Sequence, residues 1–562
     1  MWPRRARGTH DNVAHDGCNS AAGLFVFTGG GEPDNGVVED QADEPNRAHD
    51  RHETERLTPA SLVLSVLRPE HGHQEPGVVR SNLTSNYDRS EATETHRFRD
   101  AYCEMTRETF SKSVPLPVSA DTAFNWHSRT GAIDRLIPPW ESVEVIDRGD
   151  GIHDGSRVVL SNRLGPLHLK WVAEHFDCRP GEQFRDIQRQ GPFTHWDHTH
   201  RFEPDGSDRS ILEDHIEYRV PGGLFGRLVA GGFIQEKISR MFEYRHRTTV
   251  DDLTAHAEFA ETDRLNIAVT GSQGLVGNEL IPFLTTGDHK VTRMVRGNAA
   301  DDDVLWNPVA DSFDASAIDG VDAVVHLAGE NIAARRWNAR QKATIRDSRV
   351  HSTRVLCDGL AKMASPPGVL VCASAIGFYG ERGDEVMAEG SPAGTGFLAG
   401  VAREWEDAAQ PAIDAGIRVV HLRFGMILSP KNGALAKMLL PFKLGAGGIV
   451  GNGRQYWSWI ALDNAVGVIH HALMNDSLSG PVNAVEPNAL TNAQFSRTLG
   501  RVLSRPTIAP LPGFAARLIL GEMADSLLLT SVRVEPAKLI DSGYRFRHAD
   551  LESALRHMLG RN

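Results

Sequence analysis

The chain is 562 residues long, 40% apolar and 24% charged, with 60 Lys and Arg against 73 Asp and Glu and a formal net charge of −13. That length excludes a single core and predicts two or three domains plus tails, and the acidic balance argues against a nucleic-acid or anionic-membrane partner. No apolar run approaches the ~20 residues of a membrane span, the basic opening MWPRRARGTH has no signal-like apolar stretch behind it, and Cys18, Cys103, Cys178, Cys357 and Cys372 form no CxxC pair, so a cytoplasmic chain of reduced thiols is expected.

Residues 1–104 are rich in Asp, Glu, His, Gly, Asn and Arg, with brief apolar patches at 24–27 and 62–67. So little apolar surface does not offset chain entropy, and a disordered tail is predicted. The texture then changes. ETFSKSV (108–114) alternates like a half-buried strand. Ser119 stands as N-cap of a helix carrying Ala120, Ala123, Phe124 and His127. Strand-like runs follow at 143–147, 156–161, 168–176, 183–188, 194–202 and 210–218, separated by Gly and Pro as hairpins require. A long amphipathic stretch over 224–247 completes an α+β domain placed at 105–253. Within THWDHTH (194–200), His198 and His200 share one strand face and Asp197 takes the other. Two same-face histidines could bind zinc, but no third ligand stands at a fixed spacing. A hairpin of solvated or hydrogen-bonded histidines is the expectation, and no metal is assigned.

This element order, with the phrase GPFTHWDHTHRF (191–202), resembles the helix-grip fold of the START and polyketide-cyclase-like superfamily. The resemblance implies a curved sheet wrapping the long helix, with an apolar cavity between them for a small-molecule ligand.

Residues 254–265 (TAHAEFAETDRL) read as a polar linker. Strands at 267–270, 290–295, 323–327, 369–374 and 417–422 then alternate with amphipathic segments, which predicts an α/β fold with a doubly wound parallel sheet over 266–500. The first strand runs into IAVTGSQGLVG (267–277). Gly271 permits a tight turn, Gly274 lets the backbone approach a pyrophosphate, and Gly277 lets the following helix pack on the sheet. Phosphates would sit on free amides at the positive end of the helix dipole. Thr270, Gly271, Gln273, Gly274, Leu275, Val276 and Gly277 are therefore assigned to a dinucleotide cofactor. The second strand ends in MVRGN (294–298), with Arg296 where NAD-selective folds place an acid. A guanidinium pairs with a 2′-phosphate, so NADP(H) is expected in preference to NAD(H). Leu327, Ala328 and Gly329 make a small-residue turn that also allows close approach to the cofactor.

HLAGE (326–330), Arg336-Trp337, Ser348-Arg349, SAIGFYG (374–380), LRFGMIL (422–428), GNGRQ (451–455) and WSWI (457–460) together resemble the extended short-chain dehydrogenase/reductase superfamily. Within it they resemble the atypical, NAD-dependent epimerase/dehydratase-like subgroup of epimerase family proteins. GPVNAVEP (480–487), Arg505-Pro506 and GEMAD (521–525) resemble the small domain of unknown function that ends those proteins, here placed at 501–562. The resemblance implies a Ser plus Tyr-x-x-x-Lys relay, in which Tyr moves the proton, Lys lowers the Tyr pKa and Ser orients the substrate. Ser374 stands at a strand end where the serine belongs, and is also assigned to the cofactor. None of the seven tyrosines has Lys four residues on; after Tyr379 that position is Gly383, and GFLAGVAREWED (396–407) offers neither residue. Two readings stay open. Tyr379 or another group works beside Ser374 in an altered geometry, giving an epimerase or oxidoreductase of unnamed substrate. Alternatively, Ser374 is a plain strand-end serine and Tyr379 a packed aromatic, and the domain is a non-catalytic NADP(H)-responsive regulator. Some members of the subgroup carry a cell-division-inhibitor label, which these residues neither support nor exclude. Arg454, Gln455 and Trp457 are candidate substrate contacts, the competing reading being that Trp457 and Trp459 brace the last domain.

Overall fold

A computed structural model of the chain describes residues 107–561 apart from 165, 166, 298, 311, 312 and 549. Residues 1–106, which contain the whole expected tail, lie outside the described residues. The alternation read at 108–114 belongs to strand β1 (Glu108–Leu116), whose residues are by turns half-buried and exposed. Six more strands follow: β2 (Val143–Asp147), β3 (Arg157–Leu164), β4 (Leu167–Arg179), β5 (Gln183–Gln190), β6 (His195–Pro204) and β7 (Ser210–Arg219). They form one antiparallel sheet in the order β1-β7-β6-β5-β4-β3-β2. Between β1 and β2 lie helices α1 (Ala120–Ser128) and α2 (Ala132–Leu136). The Ser119 side chain accepts from the Thr122 amide, so α1 starts where its cap predicts.

The sheet is gripped by helix α3 (Gly223–Ala257), 35 residues long. It runs four residues into the segment read as linker. The cause is packing: Leu253 and His256 are buried, and His256 Nε2 lies 3.1 Å from the Phe283 carbonyl of the next domain. The joint is a docked helix end.

The second sheet consists of β8 (Asn266–Thr270), β9 (Lys290–Val295), β10 (Val304–Leu305), β11 (Ala323–His326), β12 (Val369–Ala375), β13 (Arg418–Phe424) and β14 (Gly480–Ala484). All pairs are parallel, in the order β10-β9-β8-β11-β12-β13-β14. Helices α4 (Leu275–Thr286), α5 (Ala339–Leu360), α6 (Phe397–Asp407) and α7 (Leu462–Met474) are the connections that matter below. Covered on both faces, these strands are continuous apolar runs. Ile267, Val269, Val325, Val371, Leu422 and Val482 are almost fully buried, each contributing about 1.5–3 kcal/mol. The short edge strand β10 and the last strand β14 carry too little pattern to stand out in the sequence. Helices α8 (Asn492–Val502) and α9 (Leu551–Leu559) pack with Trp457 and Trp459 in a separate cluster near the C-terminus.

A buried charge network joins the two sheets' domains. Arg135 of α2, wholly buried, gives two hydrogen bonds to Asp252 of α3 (2.8 and 3.0 Å), and reaches Glu279 of α4 at 3.2 Å and Asp463 of α7 at 3.0 Å. Arg547 also meets Asp252, at 2.9 Å. Burial opposes the charge on Arg135, but the surrounding carboxylates outweigh it and hold the guanidinium pKa above its ordinary value. No helix among the described residues is long and apolar enough to cross a membrane.

Candidate functional site

The strand order reverses at β8, whose neighbours are β9 and β11, so a crevice opens at the carboxyl ends of β8 and β11. Gly271, with φ +67°, turns the chain out of β8, and a Cβ there would stand 2.7 Å from the Leu327 carbonyl carbon. The two turns that line the crevice therefore abut. A Cβ on Gly277 would strike the Gly271 carbonyl at 2.4 Å and Ser272 Cα at 2.8 Å, so only glycine lets α4 start this close to the strand. Gly274, the N-cap of α4, differs: its added Cβ would meet nothing but the Gly271 carbonyl, at 3.1 Å. Gly274 immediately precedes the first-turn amides of α4, which have no partner within the helix. Gln273, Gly274 and Gly329 are exposed, while Leu275, Val276, Leu327 and Ala328 are half-buried. Arg296 is exposed just past β9.

Thr270 is fully buried, and its hydroxyl works inside the fold. It accepts from the Leu327 and Ala328 amides (3.2 and 3.4 Å) and lies 2.7 Å from His326 Nδ1. His326 Nε2 is 3.0 Å from the Thr353 hydroxyl, to which Trp405 of α6 also donates. Burial lowers the His326 pKa to about 4, so a neutral imidazole completes this chain. Its effect is to fix the Leu327–Gly329 turn. Arg349 of α5 packs beneath that turn, its Cζ 3.3 Å from where a Gly329 Cβ would be. The guanidinium stacks over Trp405, and no described carboxylate forms an ion pair with it. Burial lowers its pKa to about 10, with Glu330 acting in the opposite sense.

Ser374 and Tyr379 belong to one network between the strand ends and α6. Ser374 Oγ donates to Glu406 Oε1 (2.7 Å), and Arg423 of β13 clamps the same carboxylate at 2.8 and 2.7 Å. Arg423 also donates to the Tyr379 hydroxyl (2.9 Å), which donates to Asn483 Oδ1 (2.7 Å). Tyr379 is fully buried, and burial raises its pKa against the counter-effect of Arg423. Arg423 lies over the Phe378 ring as well, 3.5 Å from its centroid.

Three family models match the chain. Residues 116–244 match the family described as polyketide cyclase/dehydrase and lipid transport, 267–484 the NAD-dependent epimerase/dehydratase family, and 511–558 a domain of unknown function. A Mycobacterium leprae epimerase family protein is 43% identical over 292 residues, covering 52% of this chain and 94% of that one. The chain belongs to the epimerase family.

Two solved structures extend the likeness of this epimerase family chain. One, from Corynebacterium glutamicum and titled a nucleoside-diphosphate sugar epimerase, is 32% identical and covers 80% of this chain and 90% of that one, with a TM-score of 0.67. The other, human epimerase family protein SDR39U1 (isoform 2) solved with NADPH, is 32% identical, covers 52% of this chain and 99% of that one, and has a TM-score of 0.50. The first match thus spans both sheets, and the second is confined to about half of the chain.

In this epimerase family chain the three substrate candidates separate. Arg454 is exposed, whereas Gln455 and Trp457 are buried and both donate to the Leu528 carbonyl (3.0 and 3.2 Å). Glu406, Arg423, Asn483 and Arg349 were not singled out by sequence reasoning. Arg423 and Arg349 lie inside motifs that carried the family resemblance, but nothing in a linear sequence sets Ser374 beside a carboxylate 32 residues away.

Proposed function

We propose that this chain binds NADP(H) in the crevice at the ends of β8 and β11 and acts as an epimerase- or oxidoreductase-like enzyme. The observation that carries the reading is the glycine turn: Gly271 and Gly277 admit no side chain, and Gly274 leaves open the space before the first amides of α4. The NADPH held by the human relative supports it. In this reading the amides of Gln273, Leu275, Val276 and Gly277 bind the diphosphate beside Gly274, whose own amide donates to the Gly271 carbonyl (2.9 Å), and exposed Arg296 pairs with the 2′-phosphate. The turn at Leu327, Ala328 and Gly329, braced by Thr270, forms the opposite wall. Arg349 is a cation beside that wall, suited to a phosphate or a substrate anion. When bound, the nicotinamide supplies hydride exchange. Ser374 orients the substrate oxygen next to the cofactor, with Glu406 as its proton partner, and Arg454 meets a charged group of the substrate. The antiparallel domain binds a small molecule of its own, which its match to a lipid-transport family supports.

A second reading is favoured by a specific observation. Both hydroxyls that could serve a proton relay, on Ser374 and Tyr379, already have protein partners. The domain would then bind NADP(H) without turnover, as a cofactor-responsive regulator. The test is NADPH oxidation across panels of carbonyl compounds and sugar nucleotides. Turnover that Ser374→Ala abolishes supports the enzyme; tight NADPH binding with no turnover on any panel supports the regulator.

A further inference from the structure

The face of the antiparallel sheet beneath α3 is not uniformly apolar. Strand register gathers ionisable side chains there, with His175 of β4 directly opposite Asp186. Asp186 of β5 stands directly opposite His198 of β6, and Asp214 of β7 directly opposite His200. His246 reaches down from α3. His198, Asp214 and His246 are each no more than 3% exposed, and His200 is 8% exposed. Phe184 stacks on His200 with ring centroids 4.1 Å apart, and Phe242 meets His198 edge-on.

The two carboxylates divide the imidazole nitrogens between them. On one side, Asp214 Oδ1 lies 2.9 Å from His198 Nε2 and 2.7 Å from His200 Nδ1, while Asp214 Oδ2 holds His246. On the other side, Asp186 Oδ2 lies 3.0 Å from His198 Nδ1 and 3.6 Å from His200 Nε2. His200 Nδ1, despite its short approach to Asp214, is not aligned for a hydrogen bond, and its Nε2 is too far from Asp186 for one. The buried His200 imidazole thus only approaches the two carboxylates, at 2.7 Å through Nδ1 and 3.6 Å through Nε2, and it lies against the His198 ring.

We infer that Asp186 Oδ2, His198 Nδ1 and His200 Nε2 form a binding site for a divalent transition-metal ion of the zinc class. A tetrahedral ion at ~2.0–2.1 Å from its ligands sets them ~3.3 Å apart. The observed 3.0 and 3.6 Å bracket that spacing, and all three donor atoms lie within 4.8 Å of one another. On His198, Asp214 fills the outer role that metal-bound histidines require, a carboxylate on the far nitrogen, here 2.9 Å away, that fixes ring orientation and raises basicity. Three protein ligands leave a fourth position for water or a small molecule.

The test uses the full chain, stripped with a chelator and then titrated with Zn²⁺ against a chromophoric competitor, and separately with Co²⁺. The expected result is one tight Zn²⁺ equivalent per chain and a Co²⁺ visible band of tetrahedral intensity. Asp186→Asn should remove that equivalent, and Asp214→Asn should weaken it about 10–100-fold, with near-UV circular dichroism as the check on folding. Two results overturn the site: a wild-type chain with no Co²⁺ band at one equivalent, or a folded Asp186→Asn that retains full Zn²⁺ stoichiometry. The Co²⁺ measurement needs no variant, so a variant that fails to fold does not protect the inference.

Discussion

Where the parallel sheet buries a charge, at Arg423, each strong donor finds an acceptor: the Glu406 carboxylate, the Tyr379 hydroxyl and the Glu389 carbonyl. Beneath the antiparallel sheet, His200 is also buried, but its Nδ1, 2.7 Å from Asp214, is out of line for a hydrogen bond. The first cluster is closed, and closure stabilises and positions. The second is open on one side, and an open buried cluster of lone pairs attracts a cation. Comparing the two separates side chains that hold the fold from side chains available to a ligand.

The comparison breaks most sharply at Arg423. Arg423→Met should leave the half-buried Glu406 without its cation and cost about 3 kcal/mol, read as a lower urea midpoint. A loss under ~1 kcal/mol would mean that the pair is as well solvated as a surface one. Glu486 sharpens it from between the two extremes. This carboxyl is 2% exposed and has Asn464 as a side-chain donor but no cation, and burial, against that hydrogen bond, raises its pKa to about 7. Below pH ~4.5 the folded and unfolded chains both hold this proton. Between there and about 7 only the unfolded chain releases it, so the group's contribution falls as pH rises through that window and stays lost above it. Glu486→Gln should therefore raise stability at pH 8 by up to about 3 kcal/mol, with the gain shrinking toward pH 5. A gain independent of pH would mean that the carboxyl is not the cause. The smallest effect belongs to Tyr379→Phe, which strips partners from Asn483 and Arg423. It should cost about 1–3 kcal/mol and leave NADPH affinity unchanged; a selective loss of turnover or affinity would instead put this hydroxyl at the reacting centre.

What could be read from the sequence was whatever depends on short spacing. The alternation in β1, the Ser119 cap and the three glycines after β8 each follow from residues within a turn or two of one another. The strands around His198 were visible too, and so was the shared face of His198 and His200. Their carboxylate partners were not, because Asp186 and Asp214 arrive by cross-strand register that depends on hairpin geometry. The closed network was equally hidden: Ser374, Glu406, Arg423 and Asn483 sit on four elements that only the parallel sheet brings together. The segment at 254–265 misled by its polarity, since His256, polar by type, is buried against the neighbouring domain.

The central claim is that main-chain amides after β8 grip a dinucleotide, and calorimetric titration of the chain with NADPH tests it most directly. The account predicts saturable one-to-one binding, at least about tenfold tighter for NADPH than for NADH. Gly274→Ala, whose Cβ would press only on the Gly271 carbonyl at 3.1 Å, should weaken it about tenfold or more while the unfolding midpoint shifts little. No binding of either coenzyme, or a Gly274→Ala chain that binds NADPH as tightly as the natural one, would contradict it.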